Sequence, residues 1–188
     1  MSILRPSKPL SKAVITISGP PGSGKTSCAA DLAKLLGLNF LSSGSVFREL
    51  AKQRGLTLEE FSKVAEQDSS IDKEIDSMTQ RKAREGGIVI EGRLAAWFAK
   101  DYADLKVYLT APLNERARRV AQRDGISFRE ALQAITAREL NERRRYREYY
   151  GIDVDDLSIY DVVLNTSLWD KDSVVKILKL MVLEIFKT

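Results

Sequence analysis

The 188-residue sequence has no histidine, one cysteine and only 7% aromatic residues. Without histidine, no reaction step can use an imidazole as its proton acceptor. With Cys28 as the single cysteine, an internal disulfide and a zinc site of several cysteines are excluded. No run of about 18 apolar residues is present, and residues 1–12 are polar, without the apolar segment of a secretory signal. These absences predict a cytoplasmic protein without a membrane span.

The charge and aromatic content indicate small anionic ligands. The chain has 30 Lys and Arg residues against 26 Asp and Glu residues, a formal net charge of +4. This excess suits anionic substrates and does not by itself indicate nucleic acid. Aromatic residues are too few for a stacking platform, so we interpret Tyr146, Tyr149 and Tyr150 as helix packing. The length is typical of one domain with a full-sized core.

The most informative motif is GPPGSGKT at residues 19–26, which matches the P-loop pattern at every fixed position. Its glycines let backbone N–H groups surround phosphate oxygens, and the N-terminus of the next helix favours an anion. Lys25 is predicted to reach the β- and γ-phosphates, and Thr26 to hold Mg²⁺. The predicted binding residues for a nucleoside triphosphate are Gly19, Pro20, Pro21, Gly22, Ser23, Gly24, Lys25, Thr26 and Ser27.

The flanks of the P-loop and the rest of the chain predict an α/β fold. A β-branched run at 13–17 precedes the motif and a helical pattern at 27–37 follows it. Further short apolar runs predict strands at 39–41, 88–90, 105–109 and 162–164. Their alternation with helical segments predicts a P-loop NTPase fold with a five-stranded parallel sheet flanked by helices.

Two intervals are too long for simple crossovers and predict helical additions to a single domain. Thr57 and Glu60 form a capping-box pattern in the first interval, and Ser127 and Glu130 form another in the second. The predicted core comprises residues 13–43, 87–111 and 160–188, with an insertion at about 44–86 and a lid at about 112–151.

Polar residues follow two of the predicted strands, where ligands bind in open parallel sheets. Gly44 permits a tight turn or the close approach of a ligand, and Arg48 is either a ligand of an acceptor phosphate or a surface arginine. Glu91 stands where P-loop enzymes place an acidic residue for Mg²⁺, and Arg93 follows it toward the same crevice. The alternative for Glu91 is a cap of the next helix.

Arginines on the first predicted lid helix lie beside its apolar stripe. At about 100° per residue, Arg116, Arg119 and Arg123 fall within an arc of roughly 60°. A solvated charge run would lie opposite the apolar stripe, so this placement indicates a cleft. We predict phosphate contacts for Arg116 and Arg119.

The second predicted lid helix repeats this arrangement. Arg138, Glu142 and Arg145 share an arc of roughly 60° that overlaps the apolar side. Arg138 and Arg145 are predicted to contact phosphates. Glu142 lies between them and either holds both arginines in ion pairs or accepts hydrogen bonds from a base or ribose. Arg144 and Arg147 are predicted to be surface charges.

In this order the motifs resemble the nucleoside monophosphate kinases, most closely the archaeal type of cytidylate kinase. The resemblance covers nearly the whole chain after the first dozen residues. It rests on residues 19–26, 43–49, 58–61, 71–76, 91–95, 145–146, 150–153 and 158–161. It implies transfer of the γ-phosphate of ATP to CMP and dCMP with Mg²⁺, by a monomer that has a monophosphate-binding insertion and a lid over the ATP phosphates.

The resemblance also implies roles for single residues. Arg48 and Arg93 bind the acceptor phosphate, and Arg116 and Arg119 begin the lid. Arg138, Glu142 and Arg145 match the paired arginines of the lid with an acid between them, so that Lys25 and the four lid arginines form the catalytic set. Ser45 departs from the family, which usually has Asp at that position.

Two alternatives stay open on the sequence alone. The first is another small-acceptor P-loop kinase, acting on UMP, AMP or shikimate. The second is an RNA-associated P-loop ATPase whose basic helix, residues 138–147, binds a nucleic-acid backbone. The presence of Lys25, Thr26 and Glu91 disfavours a non-catalytic nucleotide-binding scaffold.

Overall fold

Five parallel strands form one sheet in the order β2-β3-β1-β4-β5, in a computed structural model that describes residues 8–187. The strands are β1 (Val14–Ser18), β2 (Asn39–Ser42), β3 (Ile88–Glu91), β4 (Leu105–Thr110) and β5 (Val162–Asn165). All five lie within one residue of their predicted bounds, so the predicted α/β fold is confirmed. Residues 1–7 and residue 188 lie outside the described residues. The first group belongs to the segment that was predicted not to be a secretory signal, and residue 188 belongs to the predicted core.

Eight α-helices surround the sheet in the described part of the chain. They are α1 (Lys25–Leu36), α2 (Ser43–Gln53), α3 (Leu58–Gln67), α4 (Ser69–Glu85), α5 (Ala95–Phe98), α6 (Leu113–Asp124), α7 (Phe128–Tyr150) and α8 (Lys171–Ile185). Short 3₁₀ helices occur at Leu10–Lys12 and Thr166–Leu168. Both predicted capping boxes are present, before α3 and before α7. Among residues 8–187, no helix is long and apolar enough to cross a bilayer.

The three central strands of the sheet, β3, β1 and β4, are buried on both faces, as parallel strands covered by helices are. On one face Ile15 and Val107 pack in a cluster with Leu32 of α1 and Leu178 of α8. On the other face, Ile90 packs in a cluster with residues of α4 and α5. All five side chains of β1 are buried, which explains why its sequence is a continuous apolar and β-branched run.

The two long intervals each contain a separate apolar cluster. Residues 44–86, predicted as an insertion, are occupied mainly by α2, α3 and α4, which pack around Phe61 and Ile71. Residues 112–151, predicted as a lid, contain α6 and α7, which pack around Ala117 and Ile135. These two helical units enclose the space above one edge of the sheet.

Parallel pairing brings the carboxyl ends of the strands to that edge. Ile17 of β1 is in register with Glu91 of β3, and Glu91 is in register with Ser42 of β2. On the other side of β1, Ser18 is in register with Tyr108 of β4. The P-loop that follows β1 therefore lies between the polar ends of β3 and β4.

Candidate active site

Three glycines give the P-loop its shape. Gly22 and Gly24 have φ angles of 79° and 86°, in the left-handed region that favours glycine. A Cβ on Gly19 would lie 2.1 Å from the carbonyl oxygen of Leu109, and a Cβ on Gly22 would lie 2.6 Å from that of Arg116. The loop therefore packs directly on the backbone of β4 and α6, and side chains at these glycines are excluded.

We expect Gly22→Ala to destabilise the protein and to weaken binding of ATP. Gly125→Ala is the matched control, because Gly125 also has a positive φ, of 67°, but nothing within 4 Å of its Cβ position. The control carries only the backbone strain of about 1–2 kcal/mol, whereas Gly22→Ala adds about 1–3 kcal/mol from the clash. Urea unfolding measures both variants, and equal losses of stability would contradict the packing described.

Lys25 extends from the first turn of α1 over the P-loop toward β3. Its Nζ lies 3.6 Å from Oε1 of Glu91 and donates a hydrogen bond to the carbonyl oxygen of Pro20 at 3.4 Å. Burial lowers the pKa of Lys25 to about 8, although Glu91 opposes the shift. Ser42, which also caps α2, donates a hydrogen bond of 2.5 Å to Glu91. Glu91 is thus held by Ser42 of β2 and Lys25 of α1, and it does not cap the next helix.

Glu142 is a buried carboxylate held by two arginines from different elements. Arg138, one turn earlier on α7, donates from Nε at 2.7 Å, and Arg93, just after β3, donates at 2.9 Å. Burial alone would raise the pKa of Glu142, but the two guanidinium groups hold it at about 2. In one of the two sequence interpretations, Arg145 was the second partner; the structure places Arg93 there.

Arg48 lies near this cluster on α2. Its guanidinium donates a hydrogen bond of 2.9 Å to the hydroxyl of Ser45, the residue that departs from the family pattern. Burial lowers the pKa of Arg48, and the charge of Arg138 lowers it further.

Arg116 and Arg119 lie beneath and beside the P-loop. The guanidinium group of Arg116 is buried, donates hydrogen bonds to the carbonyl oxygens of Ala111 and Pro21, and pairs with Glu139. Arg119 donates hydrogen bonds of 2.8 and 3.0 Å to the hydroxyl and carbonyl oxygens of Thr166. Both residues brace the loop in this structure, and their contact with phosphate remains a prediction.

A cavity of about 610 Å³, the main cavity, lies between the insertion and α7. Lys25, Arg93, Arg138 and Glu142 line one end of it. Gly44 also lines this cavity. Of the two possibilities for Gly44, the structure does not show the tight turn, because Gly44 lies in the first turn of α2, which begins at Ser43, and its φ is not positive. Its proximity to a ligand remains a prediction.

A second group of ionisable residues lines the main cavity on α4 and α7; the sequence analysis assigned Arg145 to the site, but not its acidic neighbours on α4. The Nε of Arg145 lies 2.6 Å from Oδ2 of Asp72, and both residues are buried. Burial raises the pKa of Asp72 to about 6, partly offset by Arg145, and the pKa of Asp76 to about 7. Tyr150 donates a hydrogen bond to Asp76. The available signal was an apolar residue followed by an aspartate, at 71–72 and again one helical turn later at 75–76.

A smaller cavity of about 300 Å³, the second cavity, lies on the other side of the P-loop. It is lined by Ser23, Gly24, Ser27, Cys28, Arg119, Thr166, Trp169, Asp170, Lys171 and Val174. The sequence singled out Ser23, Gly24, Ser27 and Arg119 for the site, but not Thr166 or Trp169. These two follow β5, whose carboxyl end meets the same edge of the sheet as β1.

Thr26 and Glu91 are compatible with a magnesium site. Thr26 is exposed on the first turn of α1, and Glu91 lies at the end of the strand paired with β1. The described residues contain no cluster of three or more Asp, Glu, His or Cys suited to a metal ion. Mg²⁺ at a phosphate site commonly uses one or two protein oxygens, with water and phosphate as its other ligands. The donor set present here fits that chemistry.

The P-loop lies at the carboxyl edge of this parallel sheet and faces an arginine-lined cavity under helices. Together these features define a small P-loop kinase. A shikimate kinase from Acinetobacter baumannii has a similar fold, with a TM-score of 0.58 and 21% identity over 93% of this chain and 96% of that one. A model of the cytidylate kinase-like family matches residues 14–168.

Two archaeal proteins are similar to the chain over most of its length. It is 52% identical over 170 residues to a cytidylate kinase of Ignicoccus hospitalis, covering 90% of this chain and 99% of that protein. It is 49% identical over 171 residues to a cytidylate kinase of Pyrococcus horikoshii, covering 91% and 88% respectively. The chain belongs to the cytidylate kinase-like family.

Proposed function

We propose that this protein transfers the γ-phosphate of ATP to CMP, and also to dCMP, giving ADP and the diphosphate. The observation that supports this proposal best is the cluster of Lys25, Arg93 and Arg138 between the P-loop and the main cavity. These cations serve two anionic substrates at once, one on the P-loop and one in the cavity. Membership of the cytidylate kinase-like family supports CMP as the acceptor.

The proposed reaction depends on positioning and charge neutralisation, without a covalent intermediate. Lys25 stabilises charge on the transferring phosphoryl group, while Arg48, Arg93 and Arg138 hold the acceptor phosphate in line with it. The absence of histidine is compatible with this chemistry, because no strong proton acceptor is required. Closure of α6 and α7 over the site would exclude water, which otherwise hydrolyses ATP.

We propose that Thr26 and Glu91 hold the Mg²⁺ that accompanies ATP, Glu91 through water. When bound, Mg²⁺ neutralises charge on the β- and γ-phosphates. Gly19, Gly22 and Gly24 shape the backbone that surrounds the phosphates, and Ser27 lies beside it on α1. The nucleoside part of ATP fits the second cavity, between Arg119 and Trp169.

The alternative of an RNA-associated ATPase is not favoured, because all five arginines of residues 138–147 are engaged with carboxylates. Arg138 pairs with Glu142 and Arg145 with Asp72, as described above. Arg143, Arg144 and Arg147 pair with Asp155, Glu66 and Asp153 respectively. A helix that binds a nucleic-acid backbone needs unpaired cations on one face. We therefore propose nucleotides as the only substrates, and a monomer that acts in the cytoplasm.

An acceptor screen with ATP and Mg²⁺ tests the proposed function. We expect the highest kcat/KM with CMP and dCMP, and much lower values with UMP, AMP and shikimate. ADP formation is measured in a coupled assay, with and without RNA. A kcat/KM for AMP or shikimate that equals the value for CMP would contradict the proposal, and RNA-stimulated hydrolysis without any acceptor would favour the alternative.

A further inference from the structure

Side chains from two other elements hold carbonyl groups of the P-loop. Arg116 of α6 donates a hydrogen bond of 3.1 Å from Nη1 to the carbonyl oxygen of Pro21. The hydroxyl of Thr166, which follows β5, donates a hydrogen bond of 3.0 Å to the carbonyl oxygen of Ser23. Each contact fixes the direction of one peptide group in the loop.

These are the peptide groups whose N–H remains free. In a trans peptide the C=O and N–H point in opposite directions, so the held carbonyl of Pro21 also orients the N–H of Gly22. The carbonyl of Ser23 orients the N–H of Gly24 in the same way. Neither N–H donates a hydrogen bond among the described residues, whereas the N–H of Ser23 between them donates to Pro20 at 3.2 Å. Free backbone donors of this kind surround phosphate in a P-loop.

Arg116 itself is poorly placed to contact a nucleotide. Its side chain is only 9% exposed, and it lines neither the main cavity nor the second cavity, whereas Arg119 lines the second. Its Nε donates a hydrogen bond of 3.0 Å to the carbonyl oxygen of Ala111. Its Nη1 donates both to Pro21 and to Glu139. Three of the five N–H groups of this guanidinium are therefore in use within the protein.

Glu139 of α7 holds the guanidinium of Arg116 in this orientation. Its carboxylate pairs with Nη1, the same nitrogen that donates to Pro21, and its side chain is largely buried. The preceding residue, Arg138, pairs with Glu142 and lines the main cavity. One turn of α7 therefore contacts both the support of the P-loop and the cationic end of the cavity.

We propose that Arg116 is a positioning residue of the P-loop and not a ligand of phosphate. Held by Glu139, it fixes the carbonyl of Pro21 so that the N–H of Gly22 is directed at the phosphates of ATP. This inference rests on the proposed use of ATP, and it replaces the phosphate contact that the sequence predicted for Arg116. It also assigns to Glu139, a carboxylate, a favourable role in binding an anion.

The sign of the effect of Glu139 distinguishes the two roles of Arg116. If Arg116 bound phosphate, Glu139 would compete with the phosphate for the guanidinium, and its removal would strengthen binding of the nucleotide. If Arg116 positions the loop, removal of Glu139 releases the guanidinium and weakens binding. A negative charge close to the P-loop gives the opposite expectation from simple electrostatics, so the experiment is decisive.

Glu139→Ala gives the first test, with Glu148→Ala as the matched control on an exposed part of α7. Calorimetric titration measures Kd for ADP and for AMP-PNP, an ATP analogue whose γ-phosphate is not transferred, with Mg²⁺ present. Both Kd values should rise about 2- to 10-fold, the range for one net hydrogen bond. The two factors should be equal, because the loop N–H groups serve the α- and β-phosphates. An unchanged or lower Kd, or a rise for AMP-PNP alone, would overturn the proposal.

Arg116→Met gives the second test, and Arg118→Met is its control. Arg118 lies on the same helix, with 69% of its side chain exposed. In Arg116→Met the KM for ATP should rise about 10-fold, while kcat and the KM for CMP should change less than about 3-fold, since the lost interaction serves bound ATP before and during transfer. A fall of about 10²-fold in kcat with an unchanged KM would instead identify Arg116 as a ligand of the transferring phosphoryl group.

Amide resonances of the loop glycines separate positioning from a general loss of structure. In ¹⁵N spectra of the wild-type protein, the N–H signals of Gly22 and Gly24 should move downfield when ADP or AMP-PNP is added. The Nε–H signal of Arg116 should be the same in both complexes. In Glu139→Ala the shift of Gly22 should shrink, while Gly24, held through Thr166, keeps its shift. Equal losses at both glycines would contradict the assigned role of Glu139.

The outcomes also separate this inference from the proposed function. If the wild-type protein binds neither ADP nor AMP-PNP, the proposed function is wrong. If it phosphorylates CMP while both variants bind ADP as the wild type does, CMP kinase activity stands and the pair of Arg116 and Glu139 is only structural. Should both variants fail to fold, as judged by circular dichroism, the wild-type spectra decide. A Gly22 signal that does not move, or an Nε–H signal of Arg116 that differs between the two complexes, overturns the proposal.

Discussion

Lys25→Ala should lower kcat by at least about 10²-fold while the protein remains folded. The Nζ of Lys25 is the cation that belongs to both the P-loop and the cluster around Glu91 and Arg138. A preorganised charge at the transferring group contributes most in the transition state, so its loss appears mainly in kcat and less in KM. Stability should change little, because burial already disfavours the charged amine and alanine suits the first turn of a helix.

Lys34→Ala is the matched control for this experiment. Lys34 is an exposed lysine on the same helix, remote from the P-loop, so its removal should leave both kcat and thermal stability unchanged. Steady-state kinetics with ATP and CMP, together with thermal unfolding, measure both variants. Near-normal turnover by Lys25→Ala would contradict the role assigned to Lys25, whereas loss of the folded state would show that the lysine is structural.

The parts of this fold that could be predicted from sequence are those determined by local patterns. Short apolar runs between glycines and polar residues marked all five strands within one residue, and the signal is strongest in β1 and β3, whose side chains are all buried. Once β3 was placed, Glu91 had to lie at the carboxyl edge beside the P-loop, and its contact with Lys25 follows from the register of β1 and β3.

What could not be predicted depends on how the helices pack against one another. Helical geometry placed Arg138, Glu142 and Arg145 on one face of α7, which is confirmed by the burial of Glu142 and Arg145. It could not show that Glu142 would pair with Arg93 or that Arg145 would pair with Asp72, because both partners lie on other elements. The same limit applies to Thr166, whose contact with Arg119 joins residues 47 positions apart.

Glu142 therefore connects two elements of the structure, because it pairs with Arg138 of α7 and with Arg93 at the end of β3. We expect Glu142→Ala to lower the free energy of unfolding by about 3–5 kcal/mol at neutral pH, because it leaves the buried guanidinium of Arg93 and the half-buried one of Arg138 without their carboxylate. Glu148→Ala is the control: Glu148 is exposed on the same helix, and its loss should cost less than about 0.5 kcal/mol. Urea unfolding measures both variants.

The pH dependence of this loss identifies its cause. The pKa of Glu142 is about 2 in the folded protein against an ordinary value of 4.5, so the ionised carboxylate stabilises the folded state at every pH above 4.5. That contribution is lost as the pH falls from 4.5 toward 2, and the stability difference between wild type and Glu142→Ala should shrink over the same range. If the difference instead stays constant from neutral pH down to about 3, the side chain stabilises by packing alone. Arg93 and Arg138 would then not depend on Glu142 for their positions at the acceptor phosphate.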